Sequence, residues 1–303
     1  MNDKLCLLAS IHSALKAGNA ILQVYHSSDF EVEKKADSSP LTLADRRSHE
    51  IIVDGLAGFD IPILSEEGQT IAYEDRKVWQ TFFLIDPLDG TKEFIKRNGE
   101  FTVNIAIISK NRPVAGVVFV PDQNILYFGA DDVGSFRADA DQIVDRINLN
   151  SDSRRRFSTM SDSETTEVLS ELIRHSTRLP VQQQADRPFT IAGSRSHSTA
   201  DLDAFVAQKR KEYGQVEFIS AGSSLKLCLV AEGRADIYPR TGPTMEWDTA
   251  AGQAVLEAAG GSLLGMDGRP LRYNCQDSLL SPNFYAFAEA ANPLWRQLLQ
   301  SGL

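Results

Sequence analysis

Apolar residues along this chain follow two periods, and the change from one to the other divides the sequence. Leu5, Leu8, Ile11, Leu15, Ile21 and Val24 recur at roughly helical spacing, which predicts an amphipathic helix packed on a core. After a breaker stretch at 37–40, where Asp37 and two serines precede Pro40, a second helix is expected from near Thr42, turning Ile51, Ile52 and Leu56 inward. Ser65 to Gly68 then opens a loop. From residue 81 the texture becomes that of strands: TFFLID, FTVNIAII, PVAGVVFV and ILYFGA are separated by short turns such as PDQN, which predicts an antiparallel meander. After residue 190, FTIAG, VEFIS and ADIYP read as strands, and about 199–209, 223–232 and 248–259 as helices, with a final helix after Asn292. This is the pattern of a layered α and β protein.

Residues 138–186, including SDSRRRF, SDSETT and VQQQADRP, are polar and poor in period, so they read as an excursion between two lobes. The triple arginine at 154–156 reads as a solvated face. The expected division is an N-terminal αβ lobe over 1–137, a polar connection over 138–186 and a C-terminal αβ lobe over 187–303.

With 303 residues, 42% of them hydrophobic, the chain can bury a sizeable core. Lys and Arg total 31 against 41 Asp and Glu, a net charge of −10 that opposes an extended grip on nucleic-acid phosphates. A small anionic ligand needs local help. Cys6, Cys228 and Cys275 are odd in number and widely spaced, which suits neither a zinc site nor a disulfide framework and fits a reducing cytoplasm. The N-terminal apolar run before Ser10 and His12 reads as too short for a signal peptide or a membrane span, and no later window is long enough.

Chemistry concentrates at LIDPLDGT, residues 84–91. Asp86 and Asp89 bracket a turn that aims both carboxylates, and with them the Leu88 carbonyl, at one point. For a lone DxxD, a turn in which each aspartate accepts backbone N–H groups is the better reading. Two carboxylates held that close repel unless a proton or cation lies between them, and a hard divalent cation takes oxygen ligands. Two further acidic loops follow apolar segments: ILSEEG carries Glu66 and Glu67, and GPTMEWDTA carries Glu246 and Asp248. Taken singly, Glu66 and Glu67 are ordinary surface charges and Asp248 a helix N-cap. Gly90 and Thr91 follow Asp89 directly, so their backbone N–H groups can meet an anion where KEFIKR begins a helix. Carboxylates beside a phosphate-sized site describe metal-assisted phosphoryl hydrolysis.

These motifs, SEEG, LIDPLDGTKEF and EWDTAAGQAVLEAAGG, resemble in order and spacing those of the lithium-sensitive, magnesium-dependent sugar-phosphatase superfamily of inositol monophosphatases and fructose bisphosphatases. The resemblance runs over about residues 4–290, apart from the excursion. It implies an α+β fold of αβαβα layers with two αβ lobes. Residues 35–45, which end in LTLAD, together with SRSH at 194–197 and GSSLKLCLVAEGRADIYPRTGPTMEWDTAAG at 222–252, are similar to the CysQ-type 3′(2′),5′-bisphosphate nucleotidases. That implies a cytoplasmic enzyme of sulfur assimilation converting 3′-phosphoadenosine 5′-phosphate to AMP and phosphate with metal-activated water.

Carried over by position, the resemblance makes Glu66, Asp86, the Leu88 carbonyl, Asp89 and Asp248 ligands of two to three Mg²⁺ ions, with Glu67 outside them. Asp45 and Thr91 become the pair that orients and deprotonates the attacking water, with Glu66 beside them. From spacing alone, Thr42 and Asp45 form a capping box. Substrate selection falls to Gly90, Thr91, Ser194, His197, Ser223, Lys226 and Arg240, which supply donors for the phosphates and nucleoside; Lys226 also reads as a solvated helical lysine and His197 as a surface histidine. Neither Cys228 nor Ser223 has a neighbouring base in sequence for a covalent route. Two alternatives stay open: a phosphatase for an inositol phosphate or 3′-phosphoadenosine 5′-phosphosulfate, and a nucleotide sensor without turnover. A homodimer and peripheral attachment at the inner face of a membrane stay open too, while stable membrane insertion and nucleic acid are not expected.

Overall fold

The computed structural model describes residues 2–27, 33–34, 40–147, 157, 159–181, 187–194 and 200–288. His197, the triple arginine at 154–156 and the helix expected after Asn292 lie outside the described residues.

Helix α1 (Asp3–Tyr25) starts at Asn2, whose side chain accepts the Leu5 N–H at 3.1 Å. It is not amphipathic in the expected sense, because every residue from Cys6 to Leu15 is buried. Over an 18-residue window its mean hydropathy is 1.4, so by length and composition it could cross a bilayer, which corrects the expectation of a short apolar run. The physical reason lies in its packing, since 78% of that window is buried inside the protein, against a sheet on one side and other helices on the other. Ser10 interrupts the apolar run without penalty by donating to the Cys6 carbonyl at 2.8 Å. After the β1–β2 pair (Glu33–Lys34 and Pro40–Leu41), α2 (Leu43–Leu56) lies along α1 and buries Ile52 and Leu56.

Among the described residues, seven strands form the first sheet in sequence order: β3 (Ile63–Ser65), β4 (Thr81–Asp89), β5 (Thr102–Ser109), β6 (Arg112–Val120), β7 (Ile125–Ala130), β8 (Gly134–Asp139) and β9 (Thr177–Arg178). Strand β3 runs parallel to β4 and the rest are antiparallel, so the meander holds and extends further at both edges than the sequence pattern indicates. Short helices α3 (Tyr73–Arg76) and α4 (Thr91–Ile95) flank β4. The segment read as an irregular excursion contains α5 (Ala140–Ile147) and α6 (Asp162–Arg174). Their apolar stripes are narrow, but Ile143, Ile147, Leu169 and Leu172 join the core around α1.

The second sheet has the order β11-β10-β12-β14-β13, built from β10 (Phe189–Ser194), β11 (Val216–Ala221), β12 (Ile237–Arg240), β13 (Ser262–Gly265) and β14 (Phe284–Phe287). Helices α7 (Ala200–Tyr213), α8 (Leu225–Ala231) and α9 (Glu246–Ala258) alternate with these strands. Strands β10, β11 and β12 are parallel, so their C-terminal ends share one edge.

Among the described residues, three apolar clusters give the layers. One joins α1, α2, α5 and α6 to the first sheet, a second joins that sheet through α8 and α9 to the second sheet, and the third joins the second sheet to α7. The order is therefore αβαβα. Helix α9 can lie close on β6 because its inner face is Ala250, Ala251 and Ala254, set against Gly116. A Cβ at Gly116 would stand 2.4 Å from the Ala251 backbone oxygen, a contact that only backbone movement relieves. Gly116→Ala should cost about 1–3 kcal/mol by overpacking and lower activity, because α9 carries Asp248 at its first turn. Denaturant midpoints and turnover check this; unchanged stability would mean that α9 is not held against β6 as described.

Candidate metal and substrate site

Strand β4 brings its two aspartates together through a bulge. Residues three apart on a regular strand point to opposite faces. Here Asp86 pairs with Asn104 and Asp89 with Thr102, so three steps on β4 match two on β5, and both aspartates share one face. Pro87, which has no N–H to give the ladder, sits inside the bulge, and its carbonyl accepts the Ser48 hydroxyl from α2 at 2.6 Å. That face also carries Phe82 and Leu84 and looks toward α8 and α9.

Asp248 arrives from α9. It is the third residue of the helix and not its N-cap; the cap position belongs to Met245, whose N–H donates to Asp248 Oδ2 at 2.9 Å. Asp86, Asp89 and Asp248 each offer an oxygen within 4.8 Å of the others. Burial pushes Asp86 well above the ordinary carboxylate value, and Glu66, Asp89 and Asp248 add to it. Asp248 is pushed up to about 8 by burial and then by Asp89. Burial also raises Asp89, against which Lys226 and hydrogen bonds from Ser224 and Asn104 pull. An all-oxygen, mutually repelling set of this kind, with Asp86 buried and Asp89 and Asp248 half-buried, suits a hard divalent cation. Glu66 lines the same cavity and hydrogen-bonds Asp86, and the Leu88 backbone lies between the two aspartates. Glu67 is half-buried outside the cavity lining. Glu246 turns away to accept the Asn274 N–H at 2.8 Å and is raised to about 7 by burial.

Asp45 forms the capping box that its spacing predicts and also meets Thr91. Its Oδ2 accepts the Thr42 N–H at 2.7 Å and the Thr42 hydroxyl at 2.5 Å, closing the capping box of α2. Its Oδ1 accepts the Thr91 hydroxyl at 3.2 Å. Thr91 lines the cavity, with Asp45 buried behind it. Gly90 turns the chain from β4 into α4 at φ 92°, and a Cβ there would strike Ser223 Oγ.

The cavity, about 370 Å³, also takes Ser194, Lys226 and Arg240 into its lining, all near the C-terminal edge of the second sheet. Lys226 is not a solvated lysine. It is 6% exposed, donates to the Ser223 carbonyl at 2.6 Å, and burial lowers it to about 8, opposed by Asp89. Arg240 donates to the carbonyls of Gly242 and Pro243 at 3.1 and 2.6 Å. Ser223 also lines the cavity; its hydroxyl donates toward the carbonyls of Asp89 at 2.8 Å and Glu100 at 2.7 Å, so its one proton is engaged by backbone. Cys228 is fully buried outside the cavity lining, and its thiol is pushed up by burial. Sequence reasoning missed Ser224 and Asn104, which contact Asp89 at 2.8 and 3.4 Å. The available signal was a polar residue inside the otherwise apolar strand VNIAII.

The inositol monophosphatase family matches residues 3–299. The 3′(2′),5′-bisphosphate nucleotidase CysQ of Escherichia coli K12 is 42% identical over 287 residues, 94% of this chain and 98% of that protein. The crystal structure of CysQ from Bacteroides thetaiotaomicron is 44% identical, with a TM-score of 0.77 over 93% of this chain and 97% of that one. An inositol monophosphatase from Anabaena shares the fold at 21% identity and a TM-score of 0.67, covering 100% of this chain and 98% of that one.

A carboxyl whose folded pKa lies above its unfolded value keeps a proton that the unfolded chain has released, so stability falls as pH rises between the two. For Asp248 that window runs from 3.8 to about 8. Metal-free protein should therefore lose thermal stability across it, and a divalent cation, tested as Mg²⁺, should restore more at about pH 8 than at about pH 5, where protons compete. Melting curves in EDTA and in Mg²⁺ decide the matter. Equal gains at both pH values would separate cation binding from these carboxyls.

Proposed function

The chain belongs to the inositol monophosphatase family, and from that premise we propose that it is a magnesium-dependent phosphatase releasing the 3′-phosphate of 3′-phosphoadenosine 5′-phosphate to give AMP. The observation that carries this reading is one cavity lined at one part by Asp86, Asp89 and Asp248 and at another by Lys226 and Arg240. Likeness to CysQ nucleotidases along 94% of the chain supports the choice of substrate class.

Asp86, Asp89 and Asp248 would hold the cations, with Glu66 and the Leu88 carbonyl beside them. Bound there, divalent cations neutralise charge on phosphoryl oxygens and acidify water. Thr91 then accepts a proton from the attacking water while its own hydroxyl proton moves toward Asp45 Oδ1, 3.2 Å away. The two Thr42 donors on Oδ2 hold the Asp45 carboxylate in that orientation. Gly90 and Thr91 offer backbone N–H groups to the phosphate under attack. Lys226 and Arg240 receive the second phosphate, and Ser194 lies on the nucleoside side.

A substrate with one phosphate leaves Lys226 and Arg240 without an anion. We expect kcat/KM for 3′-phosphoadenosine 5′-phosphate to exceed that for inositol 1-phosphate by about 10- to 100-fold, the worth of one hydrogen bond between charged groups. Magnesium-dependent phosphate release from both on one preparation tests it, and a preference for inositol 1-phosphate would overturn the nucleotide reading. Lys226→Ala should lower kcat/KM for the bisphosphate by a similar factor and reduce the monophosphate reaction less. Equal losses on both would remove Lys226 from substrate selection.

A further inference from the structure

Asn104 lies inside β5 with no exposed surface. As the partner of Asp86 in the ladder, it points from the first sheet toward α9. Its amide Nδ2 donates to Ser224 Oγ at 2.9 Å and reaches Asp89 Oδ2 at 3.4 Å. Ser224 Oγ in turn lies 2.8 Å from Asp89 Oδ2 and 2.6 Å from the Asp248 carbonyl oxygen. Ser224 is 4% exposed.

Both residues give up local stability to make these contacts. Ser224 occupies the N-cap of α8, where a serine normally accepts a hydrogen bond from its own helix, yet its side chain makes no cap bond. Such a cap is worth about 1 kcal/mol. The Asn104 Oδ1 is buried with no partner among the described residues, a loss of about 1–3 kcal/mol. Ser223, just before, sits at φ 47°, a left-handed conformation uncommon outside glycine. A strand, a cap and a strained turn all give way at the same point.

We propose that Asn104 and Ser224 are positioning residues that set the spacing between Asp89 and Asp248 for the cation, a role that rests on the metal reading above. A serine hydroxyl has one proton and two lone pairs. The Asn104 amide fills one lone pair, so the proton goes to the Asp89 carboxylate or to the Asp248 carbonyl, and the oxygen stays between them. The hydroxyl thereby stands between strand β4 of the first sheet and the first turn of α9, donating to one while its oxygen spaces the other, and Asn104 fixes that hydroxyl from β5. Asn104 is outside the cavity lining, and acts through the groups it holds.

The test is Mn²⁺ binding without substrate, read by electron paramagnetic resonance of the free ion, on the full chain and on Asn104→Leu, Ser224→Ala and the double variant. Each single change should weaken Mn²⁺ binding about 10- to 100-fold, as loss of a group orienting a metal ligand does. The double variant should bind within about twofold of the weaker single, because the two act as one chain. Wild-type affinity in either single variant, with native circular dichroism, would overturn the relay, as would losses that multiply in the double variant. Ser224→Ala removes only a hydroxyl and carries the test if Asn104→Leu fails to fold. Failure of the wild-type chain to bind Mn²⁺ would bring down the metal reading itself, and the relay with it.

Discussion

Repulsion among buried carboxylates is the constraint around which this molecule is arranged. Asp86, buried, and Asp89 and Asp248, half-buried on the cavity wall, bring oxygens within 4.8 Å of one another, where reduced access to water makes like charges costly. Donors are spent on them individually. The Leu88 N–H donates to Asp86 at 3.0 Å, the Met245 N–H to Asp248, and the Asn104 amide to Asp89, which also has the Ser224 hydroxyl at 2.8 Å. These bonds do not offset the burial, since all three carboxyls remain shifted toward the protonated form. The balance is completed by protons or by cations, and the family to which the chain belongs is built on the second solution.

Two unrelated pieces of local structure deliver the three groups. A bulge with proline inside it turns what would be an alternating pair on β4 into a same-face pair, and the third position of a helix supplies the last member. Their approach depends on packing well away from the carboxylates. Helix α9 can lie against β6 only where Gly116 faces Ala251, so the spacing of Asp248 from Asp89 is set partly by a glycine on the floor of the sheet. Core and chemistry are coupled through that helix.

The layers and the acidic loops are legible because each has a local signature: period-2 runs for β4 to β7, the paired aspartates around Pro87, and an alanine-rich helix after EWD. Asp45 shows a limit of spacing arguments, because a carboxylate has two oxygens and can cap a helix with one while holding Thr91 with the other. Ser223 and Ser224 are adjacent and chemically identical in sequence. Only the left-handed turn at Ser223 decides which hydroxyl meets backbone and which meets a carboxylate. Helix α1 reads as one-sided because Ser10, His12 and Ser13 break the apolar count although they lie in the core. Helices α5 and α6 are hidden by polar outward faces around a stripe of a few apolar residues.

On the proposed function, the two parts of the cavity recognise phosphate by different physics. A phosphate cannot approach Asp86, Asp89 and Asp248 without a cation, since the chain's own charge there is of the wrong sign. The part at Lys226 and Arg240 has no such requirement. Burial has already removed much of the water from Lys226, which is why its pKa falls to about 8; a phosphate placed beside it favours the charged form again. The desolvation of that lysine is thus borne by the folded protein before the ligand arrives, and a second phosphate meets a preorganised cation instead of a hydrated one. A bisphosphate uses both parts at once, whereas a monophosphate must leave one of them uncompensated.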